Sequence, residues 1–379
     1  MDQLSNVEVV VDYWYADERS GTRYPGDPRR WRGDDGAPLT VAPRPGLTPG
    51  DVDTGVRSLW RYRAALPGDL RPLSLGEGCT PLVRQPWGEA EVRFKLEWFS
   101  PTGSFKDRGS SVMVAALAGA GVTELLEDSS GNGGSSVAAY SAAAGIAATV
   151  LAPEGTSAAK VLQTRAYGAT VELVPGTRDD TAAEAVRRSA STTYASHNWH
   201  PFFLQGTKTL AYELWEDLGF RAPDAVVTVA GAGSIVLGLD LGFGELLDVG
   251  SIARRPRLLV AQPRNCSPID AAFHDRQPPP FAPTVAEGTA IRHPIRLPEV
   301  VAAIRRSGGD TAAIEEDAIA AAARRLASLG LYAEPTSASA AAAIDVFRER
   351  GAIRPGETTV VVLTGSGLKA PDKLRELLG

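Results

Sequence analysis

Six lysines stand among the 39 basic side chains: Lys95, Lys106, Lys160, Lys208, Lys369 and Lys373. Lys106 has the most telling surroundings. It follows a Gly-Ser pair and Phe105 in the segment 101–109, PTGSFKDRG, and opens a helical pattern. An amine there is partly desolvated and close to the positive end of the helix dipole. Both influences favour the neutral form, which can attack a carbonyl to form a Schiff base. The plain alternative is a solvated lysine paired with Asp107. Three more loops are built from small and hydroxylic residues: 129–136 (SSGNGGSS), 230–234 (AGAGS) and 363–369 (LTGSGLK). Such a loop at a helix start leaves free backbone N–H groups for an anion, and the helix dipole adds to the attraction. AGAGS is the best phosphate cradle in the chain. It does not complete a dinucleotide fingerprint, because the third glycine would fall at Val236.

The elements that must position these loops alternate. Apolar or β-branched runs predict strands at 91–97, 124–128, 147–152, 169–174, 225–229, 257–261 and 358–363. Helices are predicted at 104–120, 133–145, 157–167, 178–190, 206–219, 235–246, 314–329, 336–350 and 370–378. Strands joined by helical crossovers imply parallel sheets covered on both faces, so the class is α/β. The four loops then lie where open α/β sheets bind ligands. Residues 1–65 form a loop-rich lead-in, and 263–296, with three consecutive prolines, reads as an irregular excursion.

Composition narrows the functions. The 379 residues carry a net charge of −6 with no basic run, which argues against a nucleic-acid partner. Cys79 and Cys266 are too few for a disulfide framework or a four-thiolate zinc site. His197 and His200, three apart without a third ligand nearby, read as packing or exposed residues, and no metal is expected. No apolar stretch approaches a membrane span, and the acidic start is unlike a secretion signal, so a cytoplasmic protein is expected.

Taken in order, several motifs resemble those of the threonine synthase-like family, fold type II enzymes dependent on pyridoxal 5'-phosphate. GEGCTPLVR (76–84) is similar to the family's GEGxTPL segment, and FKLEWFSPTGSFKDRG (94–109) to its strand, loop and helix with the Schiff-base lysine. SSGNGGSS resembles the STGNxxxS loop, residues 144–171 the next two βα units, EPTSASAAAA (334–343) the EPASA helix start, and LTGSGLKAPD the LTGxGLKDPD turn. The resemblance implies that Lys106 holds the cofactor and then removes the substrate's α-proton. It places Asn132 on the cofactor's phenolic oxygen and Thr364 on its pyridine nitrogen. The cofactor phosphate falls to Gly231, Ala232, Gly233 and Ser234, and the substrate carboxylate to Ser129, Ser130, Gly131 and Gly133. It further implies two αβα domains with mostly parallel sheets, a small one over 100–195 and a large one from 66–99 and 196–379, in a homodimer acting on an amino acid.

Two departures accompany the match. Where the family reads NPYRIEGQKT, with an arginine for the phosphate of O-phosphohomoserine, this chain reads HPFFLQGTKT (200–209). Phe203 stands in the arginine's place and Gln205 in the acid's, leaving Lys208 to supply one charge. In the lead-in, RRWRGDDGAPL (29–39) resembles half of a zinc ribbon with Gly33 and Asp35 where sulfur would be, so a ribbon-like extension without metal is expected. The implied reaction is β or γ elimination or replacement on an O-activated amino acid. A serine/threonine ammonia-lyase, a β-replacement synthase, and a cofactor-binding regulatory protein without activity are the alternatives.

Overall fold

The computed structural model describes residues 13–88 and 90–378, so most of the stretch read for a secretion signal lies outside the described residues. Three short strands come first: β1 (Trp14–Ala16), β2 (Arg23–Pro25) and β3 (Thr40–Val41). A hairpin follows, β4 (Leu82–Trp87) with β5 (Ala90–Leu96), and then α1 (Lys106–Gly119). The next units alternate: β6 (Glu124–Glu127), α2 (Asn132–Ala144), β7 (Ala147–Pro153), α3 (Ala158–Ala166), β8 (Thr170–Val174), α4 (Arg178–Arg188) and β9 (Thr193–Tyr194). Two helices in series, α5 (Pro201–Thr207) and α6 (Thr209–Asp217), lead to β10 (Ala225–Val229), α7 (Ser234–Asp248) and β11 (Arg257–Pro263). The chain ends with α8 (Pro268–Phe273), α9 (Leu297–Arg306), β12 (Asp310–Ile314), α10 (Glu316–Ser328), α11 (Pro335–Glu349), β13 (Thr359–Leu363) and α12 (Pro371–Leu378).

These strands make two main sheets. The larger has the order β12-β11-β10-β13-β5-β4 and is parallel except for the β4–β5 hairpin. The smaller, β8-β7-β6-β9, is parallel throughout. Strand β10 is buried at every residue, and its side chains sort by the two-residue period of a strand. Val226 joins Val360, Leu239 and Trp215 on one face, while Val227 joins Leu259, Ile344 and Phe347 on the other. Helices therefore cover both faces, as the sequence reading requires.

Several elements differ from that reading. The helix expected from 206 begins at Pro201, where proline's fixed φ suits the first helical turn and His200 Nδ1 accepts the Phe202 amide at 3.3 Å. It breaks at Lys208 into α5 and α6. Strand β12 precedes α10, which Glu315 introduces in extended conformation. The excursion at 263–296 contains a single α-helix, the short α8. No helix among the described residues is long and apolar enough to cross a membrane.

The lead-in folds as a three-stranded antiparallel sheet in the order β2-β1-β3. It packs through aromatic edges, with Tyr13 and Phe202 ring centroids 5.2 Å apart. Gly33 and Asp35 sit in a turn closed by the Ala37 amide donating to Asp35 Oδ1 at 3.0 Å. A zinc ribbon is not shown by this sheet, and no group of three or more potential ligands among the described residues is placed to hold a metal.

Helices α5 and α6 are wedged between α1 and α7. The fit is made by absent side chains: a Cβ on Gly206 would lie 2.0 Å from the Arg108 carbonyl oxygen, and one on Gly238 2.5 Å from Thr207 Oγ1.

Candidate active site

Lys106 is the first residue of α1, as expected. The loop before it runs beside the end of β13: Phe105 N–H donates to the Thr364 carbonyl at 2.9 Å and Ser366 N–H to that of Gly103 at 3.0 Å. Lys106 and Thr364 are thereby brought together across the sheet edge. Asp107 does not pair with the lysine. Its buried carboxylate accepts from the Thr102 amide at 2.7 Å and from the Thr102 and Ser136 hydroxyls, each at 2.6 Å, which clamps the turn to α2.

A second clamp holds α1 from behind. Arg108, fully buried, pairs with Glu97 at 2.7 Å and with Glu213 at 2.9 Å. Glu213 also takes the amine of buried Lys95 at 2.6 Å and the amides of Cys79 and Thr80 at 2.9 and 2.8 Å. One carboxylate thus joins α6, β5, α1 and the segment entering β4.

The lysines separate by what their amines touch. Lys95 pairs with Glu213 and Asp217, Lys160 with Glu287, Lys208 with Glu245, and Lys373 with Glu376. Lys369 donates to Ser135 and Gln163. Lys106 alone makes no hydrogen bond or ion pair with a described residue. Its Nζ lies 4.8 Å from the centroid of Phe105 and 5.7 Å from that of Phe203. Burial lowers its pKa to about 8, despite the opposing pull of Glu127 and Glu334. That is the environment an imine-forming amine needs.

Of the other expected cofactor residues, Asn132 and Thr364 meet at Glu334, whose charge acts on Lys106. Asn132 opens α2 and donates through Nδ2 to Glu334 at 3.1 Å, and Thr364 Oγ1 lies 3.0 Å from Ser337 Oγ and 3.4 Å from Glu334 Oε1. Glu334 is buried, which raises its pKa. Gly231, Ala232 and Gly233 form the turn from β10 into α7, and Ser234 is the first helical residue. Gly233 has φ +93°, and a Cβ there would fall 2.2 Å from Val300 Cγ2. Free amides at the start of a 15-residue helix, a glycine turn and an amine with a lowered pKa all fit pyridoxal phosphate. Gly233→Ala must adopt a left-handed backbone costing about 1–2 kcal/mol. It is expected to lower the thermal midpoint and weaken pyridoxal phosphate binding in a fluorescence titration of the apoprotein. Unchanged affinity would remove this turn from the cofactor site.

Ser129, Ser130 and Gly131 form the turn between β6 and α2, with Ser129 and Ser130 half-buried and Gly131 exposed, and Gly133 lies buried in the first turn of α2. Lys208 requires a correction. It is wholly buried, donating to the Ala65 carbonyl at 2.8 Å and to Glu245 at 2.9 Å, so its charge is spent inside the α6–α7 packing and is not offered to a substrate. Phe203 packs against α1 where Gly109 leaves room, 2.5 Å from an added Cβ.

Glu127 and Arg178 were not singled out in the sequence, and His197 was read there as a packing or exposed residue. Glu127, the last residue of β6, meets His197 Nδ1 at 2.5 Å, and both are buried. Burial raises the Glu127 pKa to about 8, and burial together with the Lys106 charge drives that of His197 well down. Arg178, first residue of α4, pairs with Asp128 at 2.6 Å and lines a cavity of about 180 Å³ with Ala232, Asn198, Trp199 and Arg292. Burial opposes its charge, and Asp128 outweighs that opposition. An acid or base at the C-terminal end of a parallel strand is the signal that would have found Glu127 and Asp128.

Comparison with known proteins agrees with this geometry. Residues 73–365 match the family model for pyridoxal-phosphate dependent enzymes. The chain is 36% identical over 329 residues to a threonine synthase of Methanocaldococcus jannaschii, covering 83% of this chain and 81% of that protein. A threonine synthase of Methanosarcina acetivorans is 34% identical over 333 residues, covering 84% and 82%. Among solved structures, maize serine racemase superposes with a TM-score of 0.67 at 22% identity, over 79% of this chain and 91% of that one. A T.th. threonine deaminase gives 0.63 at 26%, over 76% and 92%. The chain belongs to the pyridoxal-phosphate dependent enzyme family and is a lyase of fold type II similar to the threonine synthases.

Proposed function

We propose that this enzyme removes the α-proton of an O-activated amino acid and expels its oxygen substituent, with elimination or replacement at the β or γ carbon. The observation that carries the reading is the neutral-tending amine of Lys106, which pairs with no described residue and lies in the field of Glu334, the carboxyl that joins Asn132 to Thr364. Pyridoxal phosphate supplies the electron sink when bound. Lys106 would hold it through its amine and afterwards take the α-proton. The amides of Gly231 to Gly233 and the Ser234 amide and hydroxyl would hold its phosphate. A hydroxyl at Thr364 would be a weaker partner for the ring nitrogen than a carboxylate, which suits elimination better than transamination. The substrate carboxylate meets the turn from Ser129 to Gly133.

Arg178 takes the part that Phe203 cannot play. Its guanidinium keeps Nε and one amino group free of Asp128 and borders the cavity beside Ala232, so an anionic leaving group such as phosphate finds a cation there. Arg178→Leu should raise KM for O-phosphohomoserine or O-phosphoserine by about 10- to 100-fold, the worth of one charge-assisted hydrogen bond. Steady-state phosphate release measures it, and an unchanged KM refutes the assignment.

A panel of serine, threonine, O-phosphoserine and O-phosphohomoserine, followed by the shift of the cofactor's near-visible band and by product analysis, identifies the substrate. Exclusive conversion of O-phosphohomoserine to threonine would assign threonine synthesis. Ammonia release from the hydroxy amino acids would assign deamination, a reading supported by the threonine deaminase likeness. The small domain over 100–195, a metal-free ribbon in the lead-in, the homodimer and a cytoplasmic location belong to the same reading, and sedimentation of the holoenzyme tests the dimer.

A further inference from the structure

We propose that His197, held by Glu127, is a second proton-transfer group of this site: the acid that protonates the oxygen departing from the β or γ carbon. The inference rests on Lys106 being the base for the α-proton, because one amine that has just accepted that proton cannot serve every later transfer.

The geometry defines a dyad. Glu127 ends β6 on the sheet edge that carries the substrate turn, and both its oxygens are directed at His197. One lies 2.5 Å from Nδ1 and the other accepts the His197 backbone amide at 3.2 Å. The ring cannot swing away. Gly133, at the start of α2 in the segment assigned to the substrate carboxylate, lies so close that a Cβ there would be 2.7 Å from Nδ1, and the Phe203 ring packs edge-on with centroids 5.9 Å apart. Nε2 has no hydrogen-bond partner among the described residues and is not sealed off, since His197 keeps 8% exposure. A carboxyl group locking one ring nitrogen while the other is left without a partner is how a proton-transfer imidazole is oriented.

The charged groups around the pair set its resting form. Lys106 from α1, Arg178 from α4 and Asp128 beside Glu127 act on it. Burial disfavours an imidazolium and a carboxylate alike, so the pair rests as Glu127–Oε1–H donating to Nδ1, with the ring's single N–H proton on Nε2. In the step, the C–O bond breaks and its electron pair goes to oxygen. That oxygen takes the Nε2 proton, Nδ1 takes the Glu127 proton, and a carboxylate is left facing Arg178 and Lys106. Glu127 acts through the imidazole and is a positioning residue; His197 is the catalytic one.

The test compares wild type with His197→Asn, His197→Gln and Glu127→Gln, all loaded with pyridoxal phosphate. Loss of positioned acid catalysis should slow leaving-group release by about 10²–10⁴-fold in the His197 variants, while deuterium exchange of the substrate α-hydrogen falls far less. Glu127→Gln should show a smaller loss and a displaced pH profile for release. A structural role would slow exchange and release together, and either that result or near-normal release in both His197 variants overturns the proposal. A second readout needs no turnover. Diethyl pyrocarbonate should acylate His197 in the apoprotein, as read by peptide mass mapping, and pyridoxal phosphate with amino acid should protect it. A His197 that is unreactive, or reactive but unprotected, also overturns the proposal. Absence of any α-hydrogen exchange in wild type instead marks failure of the Lys106 reading and takes this inference with it.

Discussion

Lys106→Ala protein is expected to fold, to bind pyridoxal phosphate weakly and reversibly, and to show neither the near-visible band that borohydride bleaches nor measurable turnover. The proton-transfer role alone is worth about 10²–10⁴-fold, and loss of cofactor attachment adds to it. The variant should not be unstable, because the amine makes no hydrogen bond or ion pair with the described residues and the clamps on α1 act through Asp107 and Arg108. Absorbance before and after borohydride, with thermal unfolding as a control, checks both halves. A variant that retains a reducible band would move the attachment to another lysine. Lys369 is then the first to examine, since it is buried against Ser135 near Glu334 and burial lowers its pKa.

The second large effect is on stability. Glu213→Gln should cost about 3–5 kcal/mol in urea unfolding, the penalty for removing one partner of a buried ion pair, because Lys95 and Arg108 remain fully buried and keep only Asp217 and Glu97. A loss below about 1 kcal/mol, the range of an exposed pair, would refute the importance given to this cluster. The wild type should also show the cluster in its pH dependence. Burial by itself would raise the Glu213 carboxyl, but Arg108, Lys95 and the Thr80 amide outweigh it and hold it far below the ordinary range. A carboxyl lowered on folding contributes stability that is fully present above its unfolded value, about 4.3 for glutamate. That contribution is withdrawn as the pH falls below this value towards the lower folded one. The glutamine variant should lack this part of the acid dependence.

The start of α1 and the strands β10 and β13 were legible because each announces itself locally. VVTV and TVVVL are β-branched runs followed by glycine turns, and such runs have few alternatives. Strand β12 was not legible, because DTAAI carries no such preference and is a strand through its parallel pairing with β11. Helix α5 is buried at every residue, so it shows no amphipathic period to read. The cofactor side of the site followed the same rule, since Lys106, Asn132 and the AGAGS turn lie in contiguous motifs. Glu127, Arg178 and His197 come from three separate strand and helix ends, and only the closing of the smaller sheet makes them neighbours. Lys208 misled for the opposite reason: its position in a motif suggested a substrate contact, while its partner Glu245 lies 37 residues away.

The wedge of α5 and α6 has a consequence for how this protein can diverge. Lys106 starts one flanking helix and Ser234 the other, and the spacing between them is gauged by contacts at Gly206 and Gly238 that admit no side chain. The distance from amine to phosphate cradle is therefore a fixed dimension of the backbone, with no adjustable part. Arg178, at the start of α4, sits outside that gauge. New substrates can be explored there by ordinary substitution, while the instrument that holds the cofactor keeps its calibration.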